Sequence, residues 1–387
     1  MATDKFTVAD GRTGPLEAVK VIDASQGAAG PIAAATLAAL GADVIKVEPP
    51  WGDWSRQLPP RRGASSAFFD SYNRGKRSVC ADLRSEDGKR LLHRLLATAD
   101  VLVHSFVPGG AERLGLDQAT LQRRHPDLIH ASVSAFGPSA SWGGRPGVDG
   151  VAQAVGGAMW AARRETDEPV KSGILADHTS GLLLAIGILG VLGRPGPRSV
   201  RTSLLGALAS LQAPSMLAES AGEKEERWGP EAPYACPNGA YRTGEGWIFI
   251  AAYRDRHWQQ LVDLLREPAL REPRFGDADG RLEHREDLRG ILESALLNAS
   301  ASAWEERCAE RGIPAGKVRP LSALPTLPPV AEQGLVSPPG PLWPDAHAAG
   351  LPLWLDEQLA PSGQAPELGQ HLAEVLAELE TNHLEGS

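Results

Sequence analysis

The stretch from residue 18 to residue 48 constrains the fold more than any other part of the chain. "AVKVIDAS" (18–25) is an apolar, β-branched run, "GPIAAATLAALGA" (30–42) has helical composition with Gly41 at its end, and "DVIKVE" (43–48) is a second apolar run. A helix between two strands lets them pair in parallel, whereas an antiparallel hairpin needs only a turn. The rhythm continues with "SEDGKRLLHRLLATA" (85–99), an amphipathic helix opened by a serine cap, and with the strands "DVLVHSF" (100–106) and "DLIHASVSAFG" (127–137). This β-α-β-α order predicts a parallel sheet with helices on both faces. Ligands of such sheets bind at the carboxyl ends of the strands, which selects the loops after residues 25, 48, 106 and 136.

The remainder reads differently. Helices are predicted over 178–193 and 202–222, followed by a charged junction at 223–233. "CPNGAYRTGEGWIFIAAYRDRHWQQLVDLL" predicts a hairpin and then a helix from Asp255. Helices at 284–298 and 301–311 and a return strand in "GIPAGKVRP" (312–320) complete a small α+β unit. The Pro-rich stretch 324–344 reads as extended connector, and the last helix is placed at 366–381. The expected organisation is a large domain over 1–200, a helical linker over 201–225 and a small α+β domain over 226–322. A connector and helix over 323–387 then rejoin the large domain.

Composition narrows the class of function. A net charge of −9 argues against nucleic acid or an anionic membrane as the main partner. The three cysteines, Cys80, Cys236 and Cys308, form neither a disulfide framework nor a metal spacing, and the ten histidines are scattered singly. The N-terminus has no signal-type apolar core, and the longest apolar stretch (181–193) is too short to span a bilayer. These features predict a cytoplasmic protein with no metal.

Several residues are candidates for chemistry. "SGILADHTSG" (172–181) places Asp177 at the mouth of an apolar helix, where a carboxylate is either an N-cap or a nucleophile next to backbone amides. Asp149, in "GVDG", precedes another helix and reads as a cap, and His178 is a weaker catalytic candidate. "DASQGAAGP" (23–31) is a glycine-bearing strand–helix turn able to offer amides to an anion, although it is not G-x-G-x-x-G, which weakens an NAD-binding reading. Arg74, Lys76 and Arg77 are three cations in four residues, suited to a polyphosphate or to a solvated turn, and Arg113 follows a strand on the ligand-facing side. Trp51, Trp54, Trp142 and Trp160 are either core or the walls of an apolar acid pocket.

Taken together, these segments resemble family III CoA-transferases. The likeness begins at "VKVIDASQGAAGPIAAATLAALGADVIKVEPPWGDWSR". It runs through "NRGKRSVCADLRSEDGKRLL", "VLVHSFVPGGAERLGL", "HPDLIHASVSAFGP" and "GILADHTSG" to "RGIPAGKV", covering about 17–320 in order. The resemblance implies a Rossmann-like large domain with a small α+β domain, in a homodimer of interlocked rings. It implies an enzyme that moves CoA between carboxylic acids, with CoA and acyl-CoA as substrates and no permanently bound cofactor. Asp177 would be the nucleophile, passing through a mixed anhydride and an aspartyl-CoA thioester. Gly27, Ala28, Ala29, Lys76, Arg77, Ser105, Phe106 and Arg113 would contact CoA. Ala28 where formyl-CoA transferase has glutamine, Ser105 where the family often has asparagine, and the lack of a glycine run over 225–250 argue against formyl-CoA or oxalate. The alternatives are an α-methylacyl-CoA racemase of the same superfamily and a non-catalytic acyl-CoA-binding protein. The racemase needs a basic histidine where this chain has Val148.

Overall fold

The computed structural model describes residues 14–107, 109–164, 166–223, 229 and 231–385. The chain divides into two compact units. One takes the residues up to Ala158 together with Ser172–Ala213 and Pro325 onward, and the other takes Met159–Lys171 with Pro214–Leu324.

The first unit is built on six parallel strands: β1 (Lys20–Asp23), β2 (Asp43–Glu48), β3 (Arg77–Cys80), β4 (Val101–His104), β5 (Ile129–Ser134) and β6 (Arg198–Ser203). Their spatial order is β3-β2-β1-β4-β5-β6. This is the order of a doubly wound dinucleotide-type sheet, with its direction reversing between β1 and β4. Helices α1 (Ala29–Ala39), α2 (Ala67–Tyr72), α3 (Glu86–Leu96), α4 (Gln118–Arg124), α5 (Asp149–Val155), α6 (Leu175–Val191) and α7 (Leu204–Leu211) surround it. Ile22, Ile45 and Leu102 pack against Leu92, Leu95 and Leu96 of α3, Leu121 of α4 and Val375 and Leu379 of the C-terminal helix. The intervening strand residues point to the opposite face, where α1 packs.

Two strands escape the sequence pattern. Arg77 lies inside β3, not in a turn, and β6 occupies the front of the region expected to be helical from 202. Both are edge strands; "RSVC" has only two apolar residues in sequence and "RSVRTS" only one, so neither carries the apolar run by which a central strand is recognised. The Pro-rich stretch contains a helical turn, Pro328–Ala331, not only extended chain. The C-terminal helix begins at Leu372, later than the pattern suggests. Within the expected junction at 223–233, residues 224–228 and 230 lie outside the described residues.

The second unit contains an antiparallel sheet of β7 (Asn238–Arg242), β8 (Trp247–Ala251) and β9 (Ala315–Lys317), with β8 central. Helices α8 (Asp255–Leu265), α9 (Arg285–Leu296) and α10 (Ala301–Glu310) close a core around Trp258, Phe275, Leu292 and Trp304. The C-terminal helix is α11 (Leu372–Glu385) and belongs to the first unit. Among the described residues no helix is long and apolar enough to cross a membrane, and no group of His, Cys, Asp or Glu is arranged to hold a metal ion.

Candidate active site

The reversal between β1 and β4 opens the crevice at which doubly wound sheets bind ligands. The loops after these two strands meet there. The Ser105 hydroxyl accepts the Gln26 N–H at 3.2 Å, and Ala24 N–H donates to Val103 O at 2.8 Å. Gly27 has φ +83°, and a Cβ on it would come within 2.5 Å of the Trp54 ring, so only glycine allows this turn beneath that indole. Ala28 precedes α1 and Ala29 opens it, and no side chain caps the helix, which leaves its first amides for a ligand.

Beneath the turn lies a fully buried charge cluster. Lys46 Nζ donates to Ser25 O at 2.9 Å and pairs with Asp53 at 3.0 Å. Asp53 in turn accepts the Gly27 N–H at 3.2 Å and the Ser55 N–H at 2.9 Å. Lys76 Nζ donates to Asp23 and Asn73, each at 2.8 Å, and to Pro31 O at 2.9 Å. Arg56 forks onto Glu48 at 2.7 Å through two nitrogens. Three carboxylates therefore face three cations. Burial opposes ionisation of Asp23, yet Lys46, Lys76 and hydrogen bonds outweigh it and hold the carboxyl at about 2. Burial brings Lys76 down to about 8 despite Asp23. The sequence signal for the cluster was a lysine inside the apolar strand "DVIKVE".

Lys76 is thus an internal ion, and Arg77 is also engaged. Its guanidinium donates to Asp43, Glu374 and Glu378. Arg74, the third cation of that run, donates to Gly363 O, Ala348 O and the Ser337 hydroxyl. Arg113, in contrast, is exposed and makes no ion pair with any described residue. Phe106 is held by its neighbours: its N–H donates to His104 Nδ1 at 3.2 Å, and its ring stacks on His104 at 5.3 Å.

Asp177 is the third residue of α6 and is half-buried. It is not an N-cap, since Ile174 holds that position without a side-chain cap. The cap comes from another helix. Asp149 Oδ1 accepts the N–H groups of Ala176 at 2.8 Å and Asp177 at 3.2 Å, while its Oδ2 accepts from Gln153 Nε2 at 2.6 Å. Gln153 also donates to Ser172 O and accepts the Ser172 N–H, so α5 binds the whole approach to α6. Gly181 brings α6 against α1, for a Cβ there would lie 2.7 Å from Ala29 O. The mouth of α6 therefore stands beside the opening turn of α1. His178 is exposed. An apolar cavity of about 830 Å3 along α1 and α6 includes Tyr72 and His178 in its lining.

The tryptophans separate. Trp142 packs edge-on against Phe136, Trp51 lies under the Arg84 guanidinium, and Trp160 belongs to the second unit. Trp54 alone of the four covers the Gly27 turn.

The doubly wound sheet defines an α/β protein with a ligand crevice between β1 and β4. The chain belongs to CoA-transferase family III, whose sequence model matches residues 16–372. It is 35% identical over 319 residues to a probable fatty acyl-CoA transferase of Mycobacterium tuberculosis, covering 77% of this chain and 81% of that protein. It is 31% identical to the succinyl-CoA:mesaconate CoA-transferase of Haloarcula hispanica, covering 94% and 96%. A crystal structure of a CAIB/BAIF family protein from Brucella suis superposes with a TM-score of 0.83 at 31% identity, covering 95% of this chain and 99% of that one.

Proposed function

We propose that this enzyme transfers CoA from an acyl-CoA donor to a carboxylic acid acceptor, with Asp177 as nucleophile. The observation that carries the reading is the pairing of Asp149 with the amides of Ala176 and Asp177, which fixes the Asp177 backbone beside the uncapped start of α1. A carboxylate oxygen of Asp177 attacks the thioester carbonyl, the C–S bond breaks, and CoA leaves as thiolate, giving a mixed anhydride. The thiolate then attacks the aspartyl carbonyl, releasing the donor acid and leaving an aspartyl-CoA thioester. The acceptor carboxylate attacks this thioester, regenerating thiolate and a new anhydride. The thiolate's attack on the acceptor's acyl carbonyl yields the product and frees Asp177. Backbone amides at the helix mouths stabilise the oxyanion of each tetrahedral step.

CoA is assigned to Gly27, Ala28, Ala29, Ser105, Phe106 and Arg113, with the exposed Arg113 meeting phosphate. Lys76 and Arg77 support the turn and the sheet edge from within. The working unit is a homodimer of interlocked chains in the cytoplasm. The exposed apolar face of α6, which includes Ile186 at 62% exposure, supports a covering partner chain. Incubation with an acyl-CoA followed by hydroxylamine should convert Asp177 to its hydroxamate, read by peptide mass spectrometry. Asp177→Ala should lower turnover by about a thousandfold or more. Full activity in that variant, with no adduct at Asp177 from any donor, contradicts the reading.

A further inference from the structure

Three partly exposed rings connect the Gly27 turn to the surroundings of Asp177. Trp54 lies over Gly27, Phe68 stands 6.5 Å from Trp54, and Tyr72 meets Phe68 edge-on at 5.1 Å. Phe68 and Tyr72 are one helical turn apart on α2, so they share a face. Burial, together with the negative charges of Asp177 and Asp149, pushes the pKa of the Tyr72 phenol above its ordinary value. Tyr72 is therefore neutral at physiological pH and within the electrostatic reach of the nucleophile. The rings are fixed from behind. The Ser66 hydroxyl caps α2 by accepting the Phe69 N–H, and Asp53 holds both the Gly27 turn and the turn that starts at Trp54.

We propose that the Trp54–Phe68–Tyr72 wall receives the acyl group presented to Asp177 and makes the enzyme select apolar monocarboxylic acids over dicarboxylic ones. The inference rests on Asp177 being the nucleophile. Trp54 keeps 48% of its surface exposed, and an aryl or alkyl group laid on these rings removes apolar surface from water. A second carboxylate in the same place is desolvated and needs a counter-ion. Among the cations close by in sequence the buried ones are engaged, and the exposed Arg61 and Arg62 donate to Gln57 Oε1 and Leu342 O. Arg56 is forked onto Glu48, Arg74 is bound to the carbonyls of Gly363 and Ala348, and Lys76 is enclosed with Asp23 and Asn73.

The test is isotope exchange between an acyl-CoA and its own deuterium-labelled acid, which removes the need to know the natural donor–acceptor pair. Phenylacetyl-CoA, octanoyl-CoA and succinyl-CoA are compared on the intact enzyme, with labelling of Asp177 followed in parallel. Exchange of at least one apolar pair is expected to exceed the succinyl pair by tenfold or more in kcat/KM. Trp54→Ala and Phe68→Leu are expected to reduce that ratio at least fivefold. Label at Asp177 with the succinyl pair equal or ahead overturns the wall alone, as does an unchanged ratio in folded Phe68→Leu. No label from any donor overturns the nucleophile assignment and the wall with it. The comparison on the unaltered enzyme decides the preference even if a variant does not fold.

Discussion

The Asp149 carboxylate caps a helix other than its own. Its partners lie 27 and 28 residues further along the chain, where it fills the role that Ile174 cannot. Asp149→Ala leaves the amides of Ala176 and Asp177 and one Gln153 amide proton without this acceptor, a cost of about 1–3 kcal/mol. Because the Asp177 backbone then loses its tether, the proposed role of Asp177 as nucleophile predicts that kcat falls about ten- to a hundredfold with little change in KM for acyl-CoA. Asp149→Asn restores one acceptor oxygen and should recover part of kcat. A mutant in which KM rises and kcat holds would show that Asp149 serves binding instead. The sequence identified both aspartates as helix-mouth carboxylates. It assigned each to the helix beside it, because a cap is recognised locally and a cap donated from a distant helix leaves no local spacing. The Asp149–Gln153 separation of one turn was the available hint.

Among the elements, the central strands and α1 were readable, because buried parallel strands are continuous apolar runs and α1 is rich in alanine. The edge strands β3 and β6 were not, since their stability comes from a neighbour's ladder more than from their own pattern. The packing of α6 on α1 was equally hidden, although Gly181 is its sequence mark. Gly181→Ala should push the helices apart and destabilise the protein by about 1–3 kcal/mol, read as a lowered urea midpoint, with turnover falling because Asp177 rides on the same helix. Strands β4 and β5 are joined by a pair of buried rings: His104 Nε2 and His130 Nε2 are 2.7 Å apart, and His130 Nδ1 meets Gln118 Oε1 at 2.8 Å. Since His104 Nδ1 accepts from Phe106, its proton sits on Nε2 and is donated to His130, whose own proton goes to Gln118. Burial, then His130 and Arg201, bring His104 down to about 3. Burial and Arg201, opposed by Asp117, bring His130 down to about 4. Both values lie below the ordinary 6.5, so the folded state binds fewer protons than the unfolded one. Stability is then complete above pH about 6.5 and declines as pH falls towards 4 and 3, by about 2 kcal/mol per ring at pH 5. Urea midpoints at pH 7 and pH 5 should show this loss, and His104→Asn/His130→Gln should flatten it. An equal slope in the double variant would remove the pair from the acid response.

At the scale of the whole molecule, the parallel sheet follows from the β-α-β rhythm, but the closure of the chain on itself does not. Residues 337–378 return to the β3 edge. The Ser78 N–H donates to His371 Nδ1, the Gly75 N–H to Gln364 O, and Arg74 to Gly363 O. Arg77 joins this seam to the sheet by bridging Asp43 of β2 to Glu374 and Glu378 of α11, and these carboxylates outweigh the effect of burial and raise its ionisation further. In the sequence this arginine was one of three adjacent cations suited to phosphate, and nothing local separates an anion-binding arginine from an internal clasp. The geometry separates it from Arg113, and a paired measurement tests the division. Arg77→Ala removes the shared partner of three carboxylates. Glu374 and Glu378 are partly exposed and screened by solvent, which limits the loss to about 1–3 kcal/mol of stability. The unfolding midpoint should drop, and KM for acyl-CoA should stay within about twofold if Arg77 is an internal clasp that meets no phosphate. Arg113→Ala should do the opposite, leaving the midpoint unchanged and raising KM for acyl-CoA about tenfold, with a smaller effect at high salt. A tenfold rise in KM for Arg77→Ala at an unchanged midpoint would return Arg77 to the CoA site and leave the C-terminal return without its ionic clasp.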